Sequence, residues 1–348
     1  EYHDVEYPEK ENLLKQFLNR SLNSFYVTKN SAPREVFKAK LKIDKMSGLN
    51  NLFKGSGSFY DCEPNSFDVL IVDEAHRLNK KSGLFSNLGE NQIKEIINSS
   101  KFSIFFIDEN QRVTLKDNGS IDEIKKYARY YNAGIHKMEL KSQFRCDGSD
   151  GYLAWLDNVL DIRETANFDL DSKYDFKVFD DPNELRKAIE EKNKINNKSR
   201  LVAGYCWNWI SEGKNKSDVH DIVISKYNFE MSWNLGNSST WAIDKESINE
   251  IGCIHTCQGL EFDYVGVIRG DDLRYENDHI VTDYTKRAKT DQSIKGINKI
   301  AQEQGEDEAK RITDIIIKNT YKTLMTRGMK GCYVFCTNEK LNEYLKNR

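Results

Sequence analysis

Apolar residues in this chain fall alternately in short unbroken runs and at helical spacing, a pattern that predicts an α/β architecture. The clearest run, Val69-Leu70-Ile71-Val72, leads directly into Asp73 and Glu74. A continuous, β-branched run suits a strand buried on both faces of a parallel sheet, with acids at the carboxyl end where open α/β sheets bind ligands. A second run, Ser103–Ile107, ends in Asp108-Glu109-Asn110-Gln111-Arg112. A helix expected near Asn91–Ser99 separates the two, which together predict a right-handed strand–helix–strand unit.

The same reading extends in both directions. Leu13, Leu14, Phe17, Leu18 and Leu22 give helical spacing over 11–23, and Ser24–Thr28 reads as a short strand. A helix follows with Pro33 in its first turn, where the missing N–H costs nothing. The Gly-, Ser- and Asn-rich stretch 47–65 predicts loop. Beyond a helix at 120–131 the alternation restarts, with strands expected at 176–179, 201–205, 264–268 and 331–336. Helices are expected around Trp155 to Leu160, at 183–195 and at 320–327, with a last one at the C-terminus. The stretch 283–319 is highly charged and predicts a solvated helical insertion. For its Lys286-Arg287-Ala288-Lys289 run a solvated face is the stronger expectation, ahead of a nucleic-acid contact. Trp207, Trp209, Trp233 and Trp241 lie in a less regular stretch, and packing rather than base stacking is expected of them.

With 348 residues, the chain has room for two domains. Its 38% hydrophobic and 31% charged residues describe an ordered, polar protein. A net charge of −3 leaves any nucleic-acid contact to a local patch. No apolar window is long enough to span a membrane. Seven cysteines with no signal pattern predict reduced thiols in a cytoplasmic setting. The Cys253/Cys257 and Cys332/Cys336 pairs superficially suggest zinc. Their Cys-x₃-Cys spacing departs from the common knuckle, and buried thiols are the stronger expectation. The chain opens on Glu1 without an initiator Met, so a piece of a longer protein is expected.

Taken in order, these segments resemble the superfamily 1 helicase core, and more narrowly the Schlafen-like (Schlafen group 3) helicase-domain family, over about residues 11 to 345. The resemblance implies two RecA-like, P-loop NTPase-type domains with mainly parallel sheets flanked by helices. Domain 1 would span 1–136, and domain 2 would span 137–348 with a charged helical insertion at about 271–319. It further implies an ATP-dependent nucleic-acid motor or remodeller with ATP and Mg²⁺ in the cleft between the domains. Asp73 matches the Walker B metal ligand and Glu74 the residue that activates water. Gln111 falls in motif III, Arg145 in motif IV, and Arg327 takes the arginine-finger position of motif VI. In motif V, Gln258, Gly259 and Glu261 lie on the nucleotide side. Asn30 of motif Ia, with His255 and Thr256, lies on the side of single-stranded DNA or RNA.

One departure is large: no Gly-x₄-Gly-Lys-Ser/Thr occurs in the sequence. The family places that loop before a helix such as 11–23. The first domain is therefore expected to be N-terminally incomplete, with the phosphate loop upstream. Two other readings compete with the motor: a regulatory NTPase switch controlling a fused or partner nuclease, and a non-catalytic binding module lacking a P-loop.

Overall fold

The computed structural model describes residues 22–41, 49–83, 87–139, 146, 150–170, 174–210, 219–234 and 239–348. The helix expected over 11–23 lies almost wholly outside them. The chain forms two compact units. The first gathers 1–29, 46–107 and 119–135, and the second 30–45, 108–118 and 136–348.

The sheet of the first unit contains β1 (Ser24–Val27), β2 (Phe53–Lys54), β3 (Phe67–Val72) and β4 (Ser100–Phe105), in the order β2-β1-β3-β4. All its pairings are parallel, with Tyr26 opposite Ile71 and Val72 opposite Phe105. The apolar run of β3 supplies Leu70 and Val72 to a core completed by Val27, Phe59, Ile93 and Ile96, while Val69 and Ile71 are partly covered. Helix α1 (Ser31–Leu41) follows β1 in sequence but belongs to the second unit, where its Val36 enters the core. Helix α2 (Gln92–Ser99) starts where the Asn91 side chain accepts the N–H groups of Ile93 and Lys94. Helix α3 (Ile121–Tyr130) starts likewise on Ser120, which accepts from Glu123. Strand β2 lies inside the expected 47–65 loop, and β4 begins three residues before the expected run.

The second unit carries a seven-stranded sheet: β5 (Asp175–Val178), β6 (Ser199–Ala203), β7 (Ile222–Ile224), β8 (Phe229–Trp233), β9 (Glu250–Gly252), β10 (Phe262–Arg269) and β13 (Gly328–Cys336). Their order is β5-β13-β10-β6-β9-β8-β7, parallel throughout except for the β7/β8 hairpin. A separate antiparallel pair, β11 (Leu273–Glu276) and β12 (His279–Thr282), follows β10. Helices α4 (Asp150–Val159), α5 (Pro182–Asn196) and the one-turn α6 (Ile254–Cys257) precede the charged stretch. Within that stretch the backbone is helical only at a short turn, Tyr284–Lys286, and in α7 (Ile297–Gln304) and α8 (Glu306–Met325). Helix α8 is not a solvated insertion along its length, because Ala309, Thr313, Ile316 and Ile317 are buried. Helix α9 (Glu339–Lys346) closes the chain.

The basic run is also not uniformly solvated. Arg287 is buried, donating from Nε to Asp291 at 2.6 Å, from Nη1 to Asp272 at 3.5 Å and from Nη2 to Ser293 at 3.2 Å. Burial works against its charge, but the two carboxylates outweigh burial and raise its pKa. Lys286 and Lys289 remain exposed. Cys253, Cys257, Cys332 and Cys336 are buried thiols, and no group of three metal-ligating side chains forms among the described residues. Trp233 and Trp241 are core residues, whereas Trp209 is partly exposed. No described helix is long and apolar enough to cross a membrane.

Candidate functional site

In the first unit, β3 delivers Asp73 and Glu74 to the carboxyl edge of the sheet. The Asp73 carboxylate is held from two sides. Oδ1 accepts the Glu74 N–H at 2.9 Å, and Oδ2 accepts the Tyr26 hydroxyl from β1. Burial, and then the Asp73 carboxylate beside it, push the Tyr26 phenol well above its ordinary pKa. The Tyr26 hydroxyl therefore stays a donor. Glu74 has a left-handed backbone, φ 52° and ψ 43°, which costs a non-glycine residue about 1–2 kcal/mol. Such strain persists only where the surroundings impose it. Here Asp73 N donates to Val27 O and Ala75 N to Phe106 O, both at 2.8 Å. The buried Glu74 carboxylate lies 3.1 Å from His76 Nε2. Gly119 passes so near this turn that a Cβ on it would sit 1.8 Å from the Ala75 carbonyl oxygen.

In the second unit, residues from four separate segments converge. Asp108 caps the turn Glu109–Gln111 and accepts the Gln111 amide at 2.8 Å, which fixes that amide's orientation. Gln111 Oε1 then faces Arg327 Nη2 at 3.4 Å. Arg327 is fully buried just past the end of α8, where Nε donates to Thr323 O at 3.0 Å and Nη1 to Leu260 O at 3.4 Å. The buried Gln258 side chain donates to the Gln111 carbonyl at 3.1 Å. From α1's N-terminal side, Asn30 donates to the carbonyls of His255 at 2.9 Å and Gln258 at 3.3 Å. Asn319, on α8, donates to the Arg112 carbonyl at 3.1 Å. The turn between α6 and β10 is completed by Gly259 at φ +82°, a conformation that favours glycine.

Gln111, Arg327, Gln258, Gly259, Asn30, His255 and Thr256 thus belong to one connected cluster. Thr256 caps α6, accepting the Cys253 N–H and donating to the Cys253 carbonyl, both at 2.9 Å. Glu261 follows the turn on its exposed side. Asp73 and Glu74 form a separate cluster with Tyr26 and His76 in the first unit. Arg145 lies outside the described residues. Sequence reasoning assigns no role to Tyr26, His76, Asp108 or Asn319, although Tyr26 opens the motif Ia segment and Asp108 the motif III segment. The first two carried a signal: Tyr26 lies in the strand that pairs with β3, and His76 lies two residues beyond Glu74.

Comparison with known proteins bears on this arrangement. A curated protein of Saccharomyces cerevisiae, the uncharacterized protein YPL245W, is 28% identical over 370 aligned positions, covering 98% of this chain and 73% of its own length. Two solved structures of S. cerevisiae Dbp5, each bound to RNA and ADP BeF3 and one of them carrying a point substitution, are each 11% identical and cover 95% of this chain and 75% of their own. Their TM-scores of 0.33 and 0.31 are too low for either to carry an argument about this chain. The family profile described as Schlafen group 3, DNA/RNA helicase domain, matches residues 11–338. That match covers nearly the whole chain, and the protein belongs to the Schlafen group 3 helicase-domain family.

Proposed function

We propose that this chain supplies most of an ATP-dependent motor or remodeller that acts on single-stranded nucleic acid, built on RecA-like domains. The observation that carries the reading is the Gln111–Arg327 contact, made within a helicase-domain family member. Phosphoryl transfer depends on positioning and charge stabilisation rather than on covalent chemistry, so a glutamine that reaches an arginine can link nucleotide state to the rest of the domain.

The acid pair suits the division of labour such a reaction requires. Asp73 is partly exposed, with one hydrogen bond to each oxygen, and keeps further lone pairs for a hard cation. It would hold Mg²⁺, which when bound neutralises charge on the phosphates. Glu74, oriented by its strained backbone and His76, would take the proton of the attacking water. Arg327 would stabilise the charge that develops on the transferred phosphoryl group. Gln258, Gly259 and Glu261 form the nucleotide side of the turn. His255 would meet the nucleic acid, while Asn30 and Thr256 act by holding that turn in shape through backbone carbonyls and the α6 cap.

A second reading, a binding module without turnover, is favoured by one observation: Arg327 is fully buried and bonded to the Thr323 and Leu260 carbonyls, as a purely structural arginine would be. ATP turnover of the intact protein, measured with and without single-stranded RNA and DNA, separates the two. The motor predicts turnover that rises on adding strand. Turnover that ignores both strands contradicts the motor, and ATP-independent strand binding supports the module.

A further inference from the structure

We propose that Trp209 is a preformed stacking platform for an unpaired nucleobase, with Lys286 and Lys289 steering the adjoining phosphates. The proposal rests on the nucleic-acid reading above and adds a binding site to it.

Trp209 is 38% exposed, yet its ring is not loose. Its inner face stacks on the buried Trp233, with centroids 5.5 Å apart and planes 9° from parallel. Trp233 lies 5.8 Å from Tyr205, and Tyr205 lies 5.9 Å from His255. A ladder of rings therefore runs from the surface to the turn that carries the proposed nucleic-acid contact. The backbone around Trp209 is also pinned. Its N–H donates to Thr290 Oγ1 at 3.1 Å, and the Ile210 N–H donates to Asp221 Oδ1 at 2.6 Å. The other Asp221 oxygen accepts the Trp233 N–H at 3.1 Å, so this acid is engaged in fixing the two stacked tryptophans. A partly exposed aromatic held rigid loses little entropy when a base covers it.

Charge arrives from elsewhere in the chain. Thr290 also donates its N–H to Asn208 Oδ1 at 3.3 Å, clipping the basic run against the Trp209 segment. Arg287 anchors that run by burial among Asp272, Asp291 and Ser293, which leaves Lys286 and Lys289 on the surface. The fold thereby brings the basic run against the Trp209 segment. An aromatic platform beside cations is the combination that holds single strands without regard to sequence.

The test compares a fluorescein-labelled oligothymidylate with an abasic strand of equal length, both titrated by anisotropy with the intact protein. The wild type is expected to prefer the base-bearing strand. Trp209→Ala should weaken that strand by about five- to a hundredfold and leave the abasic strand unchanged. Trp209→Phe should retain most of the preference, which separates loss of stacking from loss of folding. Lys289→Ala should weaken both strands alike and flatten the salt dependence by about 0.7 in the log–log slope. Equal binding of both strands by the wild type, or an unchanged preference in Trp209→Ala, overturns the platform and leaves the nucleic-acid reading standing. Failure of the wild type to bind either strand overturns both. A peptide ligand at Trp209 would show as base-independent strand binding, and so also counts against the platform.

Discussion

Arg327 Nη2 and Gln111 Oε1 face each other at 3.4 Å, although 216 residues separate them in sequence. The pair is held from both ends: Asp108 orients the glutamine, and the Thr323 and Leu260 carbonyls hold the arginine. A double-mutant cycle of Gln111→Ala and Arg327→Ala, followed by urea unfolding, should give a coupling of about 0.5–1.5 kcal/mol. Arg327→Ala alone should cost about 2–4 kcal/mol, because it strips a charged donor from buried carbonyl oxygens. Additive single effects would mean that the two side chains do not act together.

The Tyr26 hydroxyl makes a separate prediction. It donates to the carboxylate proposed to hold Mg²⁺, and partners behind a metal ligand usually affect metal affinity by about 10–100-fold. Tyr26→Phe should therefore raise the Mg²⁺ concentration needed for half-maximal ATP turnover by about tenfold, with the fold intact by circular dichroism. An unchanged Mg²⁺ dependence would reduce Tyr26 to a packing residue.

What the sequence made legible follows physical lines. Strand β3 could be read because both faces of a parallel strand demand apolar residues, and its terminal acids stood out against that run. Strand β2 could not, since two residues carry no period and are extended only because they pair with Tyr26 and Val27. Likewise β7, β8 and β9 have three to five residues each and gain their identity from neighbours. Arg287 read as part of a solvated patch because its partners Asp272 and Asp291 declare themselves only in space. Motif order singles out the acids, Gln111 and Arg327. The Tyr26–Asp73 contact depends on register between strands, which no local pattern encodes.

The buried thiols contribute to the response to alkaline pH. Burial pushes Cys336 up to about 11 and Cys332 up to about 12, from an ordinary 9.0. Below the ordinary value both states are protonated and the contribution to stability is constant. Above it, the unfolded chain releases protons that the folded chain retains, so stability falls with rising pH until each folded pKa is passed. Each thiol should contribute about 1.4 kcal/mol per pH unit across that window. Urea midpoints measured at increasing pH should decline above pH 9, and Cys336→Ala should decline less steeply. A wild-type profile that is flat to pH 11 would mean that these thiols are accessible.

Glu74 is the residue proposed to handle the water of an ATP-hydrolysing helicase core. Single-turnover ATP hydrolysis by intact Glu74→Gln protein, with single-stranded RNA present and nucleotide binding measured in parallel, tests it most directly. Hydrolysis should fall by about a hundredfold or more while nucleotide affinity stays near wild type. Hydrolysis at the wild-type rate would contradict the account.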